Sequence, residues 1–302
     1  MSGERRRRIC ARILAPLALG LCGCGEVLES RYPDGSPWSS VRFEGGVPCG
    51  PAATWHPNGR LESEGAYRRG EPHGAWRFWY ADGTLRLSAV YGDGRLDGPY
   101  RSHFPDGTPE TEGRFRAGSR EGSWRFYRRD GSLYVEREFD AGRGKLREVL
   151  WGEDGGRTEL EFASGDAEPP LVRVRRLAAD GGLRAEGRLA GGLRDGLWTS
   201  YHPDGGRRSE VHWRAGLREG EERQWYPGGE LRCIGRWRAG RPEGPFRSWH
   251  PDGSPSQEGR FAAGRREGRW TFYRQDGTLD GTRTGTYREG ALHPGERAEG
   301  VR

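Results

Sequence analysis

The sequence predicts an all-β chain: an elongated, solenoid-like antiparallel meander of about ten 24-residue β-hairpin repeats. Three observations predict it. Turn dipeptides recur in one phase along the chain. Apolar and polar residues alternate on both sides of each turn. The 302 residues include 52 Gly, 12 Trp, 11 Tyr and 10 Phe, but hydrophobic residues are only 32% of the total. So few aliphatic residues cannot fill one thick core, which argues against a large single-core enzyme fold. Glycine does not recur every third residue, so collagen is excluded. An aromatic share of 11% is far above that of a disordered chain.

The chain opens with a basic segment, Met1 to Arg12, followed by the apolar run Ile13 to Gly23. That run is too short to span a bilayer, which takes about 20 residues, and it reads as the core of a secretory signal. It ends in Leu21-Cys22-Gly23-Cys24, which resembles the bacterial lipobox. The resemblance implies cleavage of residues 1–23 and a diacylglycerol on the Cys24 thiol. Gly25, rather than Asp, follows Cys24, which by the same resemblance favours the outer membrane. The other readings are an ordinary cleaved signal peptide and an anchor with an incidental cysteine. More than one acyl chain gives durable anchoring, at about 0.8 kcal/mol per buried methylene. The formal net charge is +6, of which the first 23 residues carry +4. The remainder is nearly neutral, so it is no electrostatic footprint for nucleic acid.

The repeat array follows, expected over 24–162. Asp34-Gly35, Asn58-Gly59, Asp82-Gly83, Asp106-Gly107, Asp130-Gly131 and Asp154-Gly155 are spaced by 24 residues. After a step of 26, Asp180-Gly181, Asp204-Gly205, Gly228-Gly229, Asp252-Gly253 and Asp276-Gly277 resume the period. Asp-Gly between alternating runs signals a hairpin, so each repeat contributes two short antiparallel strands. A two-residue Asp-Gly loop places Gly74 opposite Tyr91, Phe78 opposite Leu87 and Tyr80 opposite Leu85. It also places Tyr100 opposite Gly113 and Phe246 opposite Gly259, with rings covering glycine backbone. On the opposite face it pairs Arg101 with Glu112, Arg125 with Glu136 and Arg247 with Glu258. Pro57, Pro105, Pro203 and Pro251 precede the turns and also suit a type I turn with a bulge, which shifts the register by one. The two-residue loop is preferred because it explains rings and charges together.

Tyr67 to Trp76, Phe115 to Trp124 and Phe261 to Trp270 each read aromatic-x-x-Gly-x-x-x-Gly-x-Trp. This resembles the MORN-repeat variant family, and the resemblance covers about residues 30–290. It implies the β-hairpin repeat fold. Many bacterial members carry the label of YwqK-type antitoxin, so an antitoxin or immunity role that sequesters a toxin is a second expectation.

The pattern weakens over 154–180, where Glu161 stands in place of Gly. Residues 163–172 read as an irregular loop or hinge, and 173–302 as a second array. The unit after Asp276 is stretched by two residues and lacks a closing Trp strand, as terminal repeats often are atypical. About twenty strands spaced by about 4.8 Å make a ribbon of roughly 95 Å.

Chemistry is sparse. His56, His202 and His250 recur one or more repeats apart, too far to share a metal, and read as polar residues flanking turns. Asp97, Glu121, Asp195, Glu219, Glu243 and Glu267 recur before glycines, which marks a scaffold more than a pair of catalytic acids. No calcium loop, phosphate loop or nucleophile elbow is present. Cys49 and Cys233 are not expected to pair. The residues to watch are an aromatic stripe, either core or interaction face: Trp76, Phe78, Tyr80, Tyr100, Phe115, Trp124, Phe126, Trp198, Trp213, Trp237, Phe246, Phe261, Trp270 and Phe272. The expected role is a lipid-anchored, non-enzymatic binding or scaffolding module for a protein or envelope polymer. No cofactor, metal or nucleic-acid partner is expected. A carbohydrate-active enzyme is the remaining alternative.

Overall fold

The computed structural model describes residues 25–140, 142–163 and 170–297. The leader 1–23 and Cys24 lie outside the described residues. Those residues form 24 β-strands and no helix. The strands make one antiparallel meander of sequence neighbours, in which the short strand Arg241–Pro242 and the strand Gly244–Trp249 both pair with Leu231–Arg238.

Two kinds of turn alternate. On one edge, Ala117 and Gly118 both take positive φ, 49° and 87°, between the paired residues Arg116 and Ser119. This is a two-residue type I′ turn, whose twist matches that of the strands. The same pairing of positive φ recurs at Arg69-Gly70, Asp93-Gly94, Ala215-Gly216, Ala239-Gly240 and Ala263-Gly264.

The Asp-Gly edge corrects the expected loop. The amide of Tyr80 donates to the Thr84 carbonyl at 2.8 Å, and that of Gly83 to the Tyr80 carbonyl at 2.9 Å. Ala81, Asp82 and Gly83 therefore form a three-residue loop with glycine at positive φ (93°). Leu85 opposes Trp79, not Tyr80. A bulge then absorbs Arg86, because the next pair is Phe78 with Leu87. Beyond the bulge the register is the one expected, with Gly74 opposite Tyr91, Tyr100 opposite Gly113 and Phe246 opposite Gly259. The Arg101–Glu112, Arg125–Glu136 and Arg247–Glu258 pairs also form.

The expected interruption around 154–180 does not break the sheet. Strand Arg157–Phe162 pairs with Gly144–Trp151 on one side and with Leu171–Leu177 on the other. Leu171 and Val172, expected in a loop, already belong to the second of these strands. Alternation persists there (Leu171-Val172-Arg173-Val174) and Glu161 faces Arg173, so the ladder needs no glycine at 161. At the far end, strands Gly285–Arg288 and Ala291–Arg297 cap the array. Trp270, Phe272 and Tyr287 form a buried cluster beneath them.

Successive repeats are tied at both edges. At the type I′ edge, the amides of Gly70, Gly94, Gly118, Gly216, Gly240 and Gly264 each donate to a carbonyl 22 residues earlier. At the Asp-Gly edge, the side chain before seven of the turns (Tyr32, His56, Tyr80, Arg128, His202, Tyr226 and His250) donates to a carbonyl 23 residues later. The hydroxyls of Tyr32, Tyr80 and Tyr226 reach Trp55, His103 and Trp249. Tyr80 therefore serves the edge rather than the ring stripe.

Candidate functional site: the aromatic and arginine face

One position of the period is buried or half-buried in every repeat: Ala52, Trp76, Tyr100, Trp124, Glu148, Val174, Trp198, Glu222, Phe246 and Trp270. Trp124 and Trp270 are 1% and 0% exposed. The ring that covers each glycine comes from the following strand. A Cβ on Gly113 would stand 2.3 Å from the Trp124 ring, and one on Gly259 2.2 Å from the Trp270 ring. Gly122, at φ 65°, lets the strand bulge so that Trp124 folds onto Gly113. The indole Nε1 groups of Trp76, Trp124, Trp198 and Trp270 donate to the carbonyls of Ala66, Arg114, Arg188 and Arg260 at 2.9–3.1 Å.

Phe115 meets Trp124 edge-on at 4.8 Å and Tyr100 at 5.5 Å. Phe261 meets Trp270 at 4.9 Å and Phe246 at 5.5 Å. Phe78, Phe126 and Phe272 stack alongside Trp76, Trp124 and Trp270 at 5.9–6.4 Å. Such pairs contribute about 0.5–1.5 kcal/mol beyond their buried area.

Arginines cover the rings, which the sequence reading missed. The guanidinium of Arg120 lies 4.7 Å from the Trp124 ring, and that of Arg266 4.9 Å from Trp270. Arg194 bridges Trp198 at 4.5 Å and Trp213 at 4.8 Å. Arg218 lies 4.5 Å from Trp237 and 5.7 Å from Trp213. The signal was present as Gly-x-Arg-acid-Gly at Gly118, Gly192, Gly216 and Gly264. Alternation alone assigns those arginines to solvent, whereas long side chains lie along apolar surface and cap it.

Two interior positions carry a buried carboxylate in place of a ring. Glu148 binds Arg137 at 2.6 Å and Lys145 at 3.0 Å. These cations outweigh the burial that opposes them and hold the carboxyl below its ordinary pKa. Glu222 accepts from Nε1 of Trp237, from Nε2 of Gln224 at 2.8 Å and from Arg218 at 3.5 Å.

The recurring titratable residues are engaged with backbone. Nε2–H of His56, His202 and His250 donates to the carbonyls of Trp79, Trp225 and Tyr273 at 2.9, 2.9 and 3.2 Å. Asp97, Glu219, Glu243 and Glu267 accept the amides of Ala117, Ala239, Ala263 and Glu289, which open the next type I′ turn. Glu121 and Asp195 pair with Arg116 and Arg188 at 3.0 and 2.7 Å. Among the described residues no group of three His, Cys, Asp or Glu is placed to hold a metal ion, and no helix is long and apolar enough to cross a membrane. Among the described residues Cys49 and Cys233 are not paired.

Repeated hairpins, a stacked interior ladder and hydrogen bonds in register at both edges define a β-hairpin repeat protein. The model of the MORN repeat variant family matches residues 194–215, one strand–turn–strand unit from Arg194 to Ala215. Residues 194–215 thus match one MORN-variant repeat. No curated protein matches the chain. One similar solved structure is the crystal structure of TcdB2-TccC3 without its hypervariable C-terminal region. It is 12% identical with a TM-score of 0.23, over 84% of this chain and 14% of that one. The chain therefore spans about one seventh of that structure's length.

Proposed function

We propose that the protein is an exported bacterial lipoprotein, anchored through a lipid on Cys24, and that its repeat array is a non-enzymatic binding or scaffolding module at the outer membrane. The partner is a protein or envelope polymer. The observation that carries the binding role is the extended repeat surface itself, whose arginines lie over a ladder of buried and half-buried rings; long repeat surfaces of this kind serve partners. The non-enzymatic reading rests on the recurring histidines and carboxylates, which are taken up by backbone hydrogen bonds in repeat after repeat. The anchor rests on the Leu21-Cys22-Gly23-Cys24 motif.

Membrane fractionation with mass spectrometry of the N-terminal peptide tests this. A diacylated Cys24 in the membrane fraction, lost in Cys24→Ala, is the expected result. A soluble cytosolic chain with Met1 retained would overturn the anchor and move the toxin-sequestering role to the front. Hydrolysis of an envelope glycan by the full chain would overturn the non-enzymatic reading.

A further inference from the structure

The repeat supplies its own template for a ligand. Around Glu222, one carboxylate is held by an indole N–H (Trp237), an amide (Gln224) and the arginine stacked on that indole (Arg218). One period earlier the corresponding indole is Trp213 and the corresponding arginine is Arg194, stacked on it at 4.8 Å. The residue corresponding to Glu222 is Trp198, so this unit has the two donors without the carboxylate. Nε1 of Trp213 is buried and has no hydrogen-bond partner among the described residues. Arg194 has no acidic partner among the described residues. Both side chains line a cavity of about 290 Å³, together with Trp198, Arg218 and Glu222.

We propose that this cavity binds an exogenous carboxylate, received by the Arg194 guanidinium and the Nε1–H of Trp213 as Glu222 is received one repeat later. The proposal deepens the binding-module reading by naming the chemistry of its ligand. A guanidinium fork matches the two oxygens of a carboxylate. An unpartnered buried N–H is costly, and a ligand acceptor would relieve it. Burial, with Arg176 and Arg218 nearby, holds Arg194 below the ordinary arginine pKa, which is the signature of a cation short of counter-charge. Arg208 and Arg232 also line the cavity, so its net charge is positive.

The test is titration of the full chain, read by the ¹H–¹⁵N signal of the Trp213 indole and by calorimetry. Two carboxylates distinguish the sources: glucuronate for an acidic sugar and N-acetyl-alanyl-alanine for a peptide C-terminus. Glucose and the amide of the same dipeptide are the neutral controls, and inorganic phosphate is a third arm. A saturable shift with either carboxylate, and none with its neutral counterpart, is expected. Arg194→Leu should weaken that binding about tenfold, the scale of one charge-assisted hydrogen bond. Trp198→Glu should install the internal carboxylate and abolish the response. If Trp198→Glu does not fold, Arg194→Leu alone decides. No shift with either carboxylate, a response to phosphate alone, or unchanged affinity in Arg194→Leu would overturn the proposal. Partner capture by the intact array without any carboxylate response would sink this site and leave the binding-module reading standing.

Discussion

At the scale of single residues, the ladder depends on close contact between an indole and a glycine. Trp124→Ala should cost about 3–5 kcal/mol, because the ring is buried and its removal leaves a cavity. Gly113→Ala should cost about 1–3 kcal/mol, because its Cβ would enter the same ring. Urea unfolding with near-ultraviolet circular dichroism measures both. Unchanged stability in Trp124→Ala, with loss of partner capture, would assign the ring to a binding surface instead. Burial also raises the Cys233 thiol pKa to about 11, so Cys233 should resist a thiol reagent at pH 8 until urea unfolds the chain. That a ring covers Gly113 was legible, with Tyr100 read opposite it, but not that the covering ring is Trp124 of the following strand. That depends on the positive φ at Gly122 and the bulge it permits, which alternation cannot register.

At the scale of the turn, Asp-Gly units store an acid response. Asp34, Asp106, Asp130, Asp252 and Asp276 are held below the ordinary value of 3.8, first by the side chain and then by the amide of the Ser or Thr two residues on. A carboxylate with a lowered folded pKa stabilises the fold fully above its unfolded value and loses that contribution as pH falls through its folded value. The array should therefore hold constant stability from these turns above about pH 4 and lose it below 3.8. Asn58 already shows a neutral version, with its Oδ1 accepting the Arg60 amide at 3.1 Å. Asp106→Asn should thus keep the hairpin and flatten the acid slope of thermal unfolding. A slope identical to wild type would show that this turn contributes nothing to acid sensitivity. The turn positions were legible in sequence, but loop length was not. The three-residue loop and the bulge at Arg86 cancel, so both loops give one register over the rest of the strands.

At the scale of the whole molecule, each strand makes its main contacts with its two sequence neighbours. Stability is then a sum over repeats and their interfaces. A compact globule of this length has a radius of gyration of about 19 Å; small-angle scattering should give a clearly larger value, and about 19 Å would refute an extended sheet. The period located the array on both sides of 154–180 but not within it, because strand pairing there needs alternation and not the glycine motif. The arginine caps and the buried Glu148 and Glu222 were hidden because a charged residue in an alternating strand reads as solvent-facing. The hydrogen bonds that join repeats at both edges carry one more consequence. Excising residues 205–228 joins Asp204 to Gly229 and moves every later residue back by one period. The Gly240 amide would then meet the Arg194 carbonyl instead of that of Arg218, and His202 would meet Trp249 instead of Trp225. Each bond finds an equivalent partner, so gene duplication and deletion can lengthen or shorten this protein in 24-residue steps without inventing a new contact.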